Sequence, residues 1–132
     1  MPHPLDNPIW NALNTGSVRF SHGNENCRFI DPRMGFFAGL PSYEVEDIQR
    51  LYTSCTSGQR VILFTPGHLQ VNDHWLVLND HELLQMVCEN DSKPEISSIP
   101  IVKLGEKDIP AMLELTALTK PGPFLSRTID FG

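Results

Sequence analysis

The chain has 132 residues, 40% hydrophobic, 8% aromatic and 20% charged, which suits one soluble domain or slightly more than half of a larger one and is too apolar for intrinsic disorder. Ten Lys and Arg against sixteen Asp and Glu give a formal charge of −6 with the cations scattered. This argues against duplex nucleic acid as a partner, because affinity for it comes from clustered cations that displace counterions. Apolar runs such as Val61 to Phe64 fall far short of the roughly 20 residues that cross a bilayer, so no membrane span is expected.

The opening Met1-Pro2-His3-Pro4-Leu5-Asp6-Asn7-Pro8 lacks the basic-then-apolar order of a secretory signal, which makes the cytoplasm the expected compartment. Cys27, Cys55 and Cys88 are odd in number and widely spaced, with no C-x-x-C, and read as buried, reduced thiols.

In chain order, Asp6-Asn7-Pro8 followed by Ile9, Trp10, Ala12 and Leu13 predicts a helix over about 8–14, with an Asx cap, Pro in the first turn and Gly16 as a left-handed stop. Val18 and Phe20, the Gly23-Asn24 turn and Cys27 to Ile30 suggest a hairpin ended by Asp31-Pro32. Gly35 and Gly39 bracket Phe36-Phe37, read as a turn into a buried aromatic pair. After Ser42, the residues Tyr43, Val45, Ile48, Leu51, Tyr52 and Cys55 step by three and four onto one helical face, with Glu44, Glu46 and Asp47 in the first turn and Gly58 as the close.

Arg60 to Thr65 reads as a buried strand, and Trp75 to Leu78 with Leu83 to Cys88 as two antiparallel strands. The polar stretch Asn90 to Ser98 is the best linker, which divides the chain into 1–97 and 98–132. Ile99 to Leu104 is then a strand, and Asp108 caps a helix over Ile109 to Leu118 that Thr119-Lys120-Pro121-Gly122-Pro123 breaks. The whole reads as α+β: a mixed, mainly antiparallel sheet of five or six short strands flanked by three or four helices.

Little in this pattern marks chemistry. His74 and His81 each follow an Asp, but seven residues on predicted strand and turn do not suit a metal, and exposed turn histidines are the plainer account. No cysteine or serine nucleophile motif is visible, and the acidic turn at Glu44 and Asp47 is explained by the helix dipole. No catalytic residue and no metal ligand is assigned.

The segment Asp108 to Phe124, with Arg127-Thr128-Ile129, resembles the opening of the catalytic domain in bacterial GNAT-superfamily N-acetyltransferases. Proteins of that subgroup also begin with a segment similar to His3-Pro4-Leu5-Asp6-Asn7-Pro8-Ile9-Trp10-Asn11-Ala12-Leu13 and carry a phrase like Phe37-Ala38-Gly39-Leu40. The resemblance implies that 1–97 is the N-terminal α/β region of such an enzyme and 98–132 the first strand and helices of its GNAT domain. It further implies that Thr119, Pro121, Gly122, Phe124 and Arg127 line the groove for an acceptor amine.

In that superfamily a [Gln/Arg]-x-x-Gly-x-[Gly/Ala] turn holds the pyrophosphate of acetyl-CoA on backbone donors at a helix N-terminus, and no such hexapeptide occurs here. The expectation is a truncated family member that binds no acetyl-CoA and transfers no acetyl group alone. The other reading is a non-enzymatic module that self-associates through exposed edges, or pairs with a partner subunit.

Overall fold

A computed structural model describes residues 2–90, 95 and 98–132. The linker expected at 90–98, and with it the boundary near 97, lies largely outside the described residues.

A 3-10 turn at Pro4–Asp6 leads into α1 (Pro8–Asn14), where Pro8 occupies a position whose N–H is not needed. The turn is tied reciprocally: His3 Nδ1 accepts the Leu5 N–H at 3.1 Å, and the Asp6 carboxylate accepts the His3 N–H at 2.7 Å. Two local expectations fail. Asn7 makes no side-chain cap on α1, and Gly16 is not left-handed. The helix closes instead through the Thr15 and Ser17 N–H groups, both donating to the Ala12 carbonyl at 3.2 and 2.8 Å.

A second 3-10 turn (Val18–Phe20) opens the hairpin of β1 (Ser21–Gly23) and β2 (Arg28–Ile30), and β3 (Ala38–Gly39) adds antiparallel in the order β1-β2-β3. The registers set Ser21 opposite Ile30 and Phe29 opposite Ala38. At the hairpin, Gly23 has φ +128°, and a Cβ there would fall 2.2 Å from the Cys27 carbonyl oxygen. No other residue fits this turn. Asn24 Oδ1 completes it by accepting the Asn26 and Cys27 N–H groups at 2.8 and 3.2 Å.

Helix α2 (Val45–Ser54) follows, with Glu46 and Asp47 in its first turn. Of the face expected to be apolar, Ile48 and Leu51 are buried, whereas Val45 and Tyr52 are exposed. Ser54 ends the helix and Cys55 caps it, so Gly58, with φ +77°, lies in the turn beyond rather than at the close.

Alternation along β2 sorts the core. Phe29 joins Cys27, Ala38, Leu40, Ile48 and Leu51 on the α2 side, while Ile30 joins Leu13 and Met34 on the α1 side. The small sheet is thus sandwiched between two helices, and every fully buried residue among those described lies between Leu13 and Leu51. Phe36 and Phe37 are half-buried rather than buried: the Arg60 guanidinium lies 5.6 Å from the Phe36 ring, and Phe37 meets Phe64 edge-on.

Beyond α2 the expected strands are not formed among the described residues. From 60–65 only Ile62 pairs, through a parallel bridge to Phe37, with its N–H donating to the Phe36 carbonyl at 2.8 Å and its carbonyl accepting the Ala38 N–H at 3.0 Å. The segments 75–78, 83–88 and 99–104 are not strands, so the sheet has three strands rather than five or six. A ladder needs a partner, and, among the described residues, 76–90 make no backbone–backbone hydrogen bonds.

A 3-10 turn (Glu106–Asp108) precedes α3 (Ile109–Thr119), which ends where Lys120 turns left-handed at φ 48°, ψ 50°. Asp108 is the N-cap residue of α3 as expected, but its side chain makes no capping bond to the helix; its carboxylate accepts the Gly105 N–H at 2.8 Å. The chain then returns to the sheet. The Arg127 N–H donates to the Arg33 carbonyl at 3.0 Å, Thr128 Oγ1 donates to the Met34 carbonyl at 2.8 Å, and Phe131, in a last 3-10 turn (Thr128–Phe131), meets Phe20 edge-on.

All three cysteines are free, but only Cys27 is buried; Cys55 is half-buried and Cys88 exposed. Burial, reinforced by Cys27 nearby, pushes the Cys55 thiol up to about 11. Only the thiolate reacts with alkylating agents. Under native conditions at neutral pH, iodoacetamide followed by peptide mapping is expected to label Cys88 first, Cys55 slowly and Cys27 last. Equal rates at Cys27 and Cys88 would contradict the closed core.

Candidate functional site

Two places gather candidate functional side chains. The first grows from the start of the chain. The Asn7 amide donates to the Leu40 carbonyl at 2.7 Å and the Pro41 carbonyl at 3.3 Å, and its oxygen accepts the Tyr43 hydroxyl at 3.2 Å. Beside this clasp Gly39 lies directly under α1. The two phrases that resemble the acetyltransferase subgroup, His3 to Leu13 and Phe37 to Leu40, are therefore the two sides of one packing contact.

The clasp borders a cleft of about 410 Å³ lined by 6–7, 41–44 and 65–69. Its walls carry the carboxylates of Asp6 and Glu44 and contain no Lys or Arg. Such a lining favours a neutral or cationic group and disfavours a phosphate. Below it the Ser42 hydroxyl donates to Asp47, whose other oxygen receives Arg50 at 2.7 Å. On the rim His68 Nδ1 lies 3.0 Å from Asp80, with both side chains largely exposed.

Burial pushes the Tyr43 phenol from 10.0 up to about 12. Because the folded state holds this proton more tightly than the unfolded state, the tyrosine costs no stability below pH 10 and lowers it progressively as pH rises toward 12. Alkaline unfolding followed by tyrosinate absorbance is expected to show this decline in the native chain and to lose it in Tyr43→Phe. An identical alkaline profile in the variant would sink the assignment.

The second place is the loop after α3. Thr119 is exposed in the last helical turn, with its hydroxyl donating to the Leu115 carbonyl at 2.9 Å. Pro121 and Gly122 are exposed, Gly122 at φ +134°, and Phe124 is half-buried. The four residues therefore share one short excursion between α3 and the return to the sheet.

Arg127 is different. Its Nε donates to Asp130 at 2.8 Å, one terminal nitrogen also meets Asp130, and the other donates to both Glu106 oxygens at 2.9 and 3.0 Å. These carboxylates raise its pKa further above the ordinary arginine value. Its guanidinium is a strut joining the approach to α3 to the last turn. The Arg127/Asp130 spacing could have flagged half of this; Glu106, 21 residues upstream, gave no local signal.

Among the described residues no three His, Cys, Asp or Glu side chains gather to hold a metal. His74 stacks on Tyr52 at 4.7 Å, and Trp75 meets the same ring edge-on at 5.9 Å.

The helix mouths bear on anion binding. Pro8 in the first turn of α1 and Pro110 in that of α3 each remove a backbone donor, and the first turn of α2 carries Glu46 and Asp47. A diphosphate needs several free N–H groups at a helix end and no facing carboxylate. The residues described here do not fit one. No described helix is long and apolar enough to cross a membrane.

No protein-family model and no curated protein matches the chain. A crystal structure of an acetyltransferase assigned to the GNAT family, from Novosphingobium aromaticivorans, is similar to it at 26% identity with a TM-score of 0.78. The similarity covers 99% of this chain and 57% of that one, so these 132 residues span little more than half of the matched protein. The α+β architecture is that of the matched part.

Proposed function

We propose that these residues form the N-terminal, substrate-side region of a GNAT-type N-acetyltransferase of the cytoplasm, and that they do not hold acetyl-CoA by themselves. The observation that carries this reading is the structural likeness over 99% of the chain to 57% of a GNAT-family acetyltransferase. On this reading residues 1–97 are the N-terminal α/β region and 98–132 the opening of the catalytic domain. The loop from Thr119 to Phe124 faces the acceptor amine, and Arg127 holds that loop's far end in place rather than touching the acceptor.

The chemistry of the whole enzyme is attack of an amine nitrogen on the thioester carbonyl of acetyl-CoA. The acetyl–nitrogen bond forms, the thiolate of coenzyme A leaves, and the amine proton passes to a base or ordered water. The part described here contributes an acceptor-side loop on a rigid sheet. On this reading it offers no donor-rich helix mouth for a diphosphate, a view that Pro8, Pro110 and the acidic start of α2 support.

Calorimetric titration of the 132-residue chain with acetyl-CoA tests this. The expected result is no saturable heat, with no change in the amide spectrum. Micromolar saturable binding would overturn the claim that the diphosphate has no seat here.

A further inference from the structure

The cleft beside the Asn7 clasp, about 410 Å³ in volume, is defined by what its walls have left to offer a ligand. Their side-chain amide and hydroxyl donors are already engaged. Asn7 donates to the Leu40 and Pro41 carbonyls, Tyr43 to Asn7 Oδ1, Ser42 to Asp47, and Thr65 to the Gly67 carbonyl at 2.6 Å. The neutral His68 ring directs its Nδ1–H at Asp80, 3.0 Å away, which leaves Nε2 as an acceptor. Glu44 stands at the N-cap of α2 without bonding the helix, and Asp6 accepts the His3 N–H through one oxygen only. Acceptors therefore remain on Asp6, Glu44 and His68, all of which line the cleft, and neither Lys nor Arg does. Pro41, Pro66 and Leu69 add apolar surface to the same walls.

Walls whose side chains accept but do not donate, and whose charge is negative, match a ligand that donates but does not accept and is positive. We propose that this cleft is a binding site for a primary alkylammonium ion. The three N–H groups of the ammonium take their partners from the Asp6 and Glu44 carboxylates and His68 Nε2, and the carbon chain covers the apolar surface of Pro41, Pro66 and Leu69. Acceptors from three separate segments suit the point-like ammonium better than the planar fork of a guanidinium. The segments that build the cleft end at Leu69, so no residue of the loop assigned above to the acceptor amine lines it, and the site does not depend on acetyl transfer.

Titration of the 132-residue chain with n-butylammonium, followed by amide chemical shifts, tests the site. Saturable shifts centred on 6–7, 42–44 and 65–69 are expected. Butyltrimethylammonium, which keeps the charge and the chain but has no N–H, is expected to bind about fivefold more weakly. E44Q, which removes a charge that no helix bond uses, is expected to weaken butylammonium binding by about fivefold. E46Q removes an equal charge from the same helical turn outside the cleft and is expected to change binding by less than about twofold. Circular dichroism checks that both variants fold. Absence of saturable shifts, shifts centred elsewhere, equal binding of the two cations, or equal effects of E44Q and E46Q would each overturn the proposal. None of these outcomes bears on acetyl-CoA, whose own titration tests the acetyltransferase reading separately.

Discussion

Gly39→Ala is expected to cost about 3 kcal/mol of stability and to loosen α1 from the sheet. A Cβ at Gly39 would lie 2.7 Å from Trp10 Cα, 2.8 Å from Trp10 N and 3.2 Å from Ile9 C. All three are backbone atoms, so no side-chain rotation relieves the clash, and the helix must move. Moving α1 also moves Asn7, which immediately precedes it and holds the Leu40 and Pro41 carbonyls at the border of the cleft.

The control is Gly16→Ala, where nothing lies within 4 Å and φ is not left-handed; its change should stay within about 0.5 kcal/mol. Urea unfolding measures both. Equal stabilities for the two variants would show that α1 does not rest on Gly39.

The same contact shows what a sequence can and cannot disclose. α1, the turn of the hairpin and β2 are legible because their signals are local, Pro8 in a first turn and Gly-Asn where the chain must reverse, whereas Val18 to Phe20, read as the first arm, is a 3-10 turn and β1 starts after it. The job of Asn7 is not legible, because the amide that suits a helix cap also suits a carbonyl 33 residues away, and only folding decides between them. The partner of Arg127 is hidden in a similar way, because Glu106 lies 21 residues upstream and only folding brings it beside the guanidinium. The cleft escapes sequence reading altogether, since three separate segments build it.

The strands read at 75–78, 83–88 and 99–104 are the larger departure. Their composition is that of strands, with Leu84, Met86 and Ile101 at strand-like alternate or isolated positions, yet all three side chains are exposed. Composition records what a segment would pack well as; pairing also requires a partner edge. α3 poses the same problem, because Ile109-Pro110-Ala111-Met112-Leu113-Glu114-Leu115-Thr116-Ala117-Leu118-Thr119 is apolar nearly all round and buries no residue. Helices of that kind are ordinarily enclosed on most sides.

Leu51→Ala is expected to be as damaging as Gly39→Ala, costing about 3 kcal/mol, but for the opposite reason: it leaves a hole rather than a clash. Leu51 is fully buried on the inner face of α2 against Phe29, Leu40 and Ile48. With every fully buried described residue confined to Leu13–Leu51, the core is small, and a domain of this size has only about 5–15 kcal/mol to lose. The damage should spread outward, because Val61, Leu63, Leu69, Val71 and Trp75 pack on this cluster from the irregular segment beyond α2. Val45→Ala, on the same helix at 79% exposure, should change stability by less than about 0.5 kcal/mol. Urea unfolding followed by tryptophan fluorescence should therefore show a much lower midpoint for Leu51→Ala with an unchanged slope, and no shift for Val45→Ala. A loss below about 1 kcal/mol at Leu51 would mean that α2 does not close the core against β2 and β3.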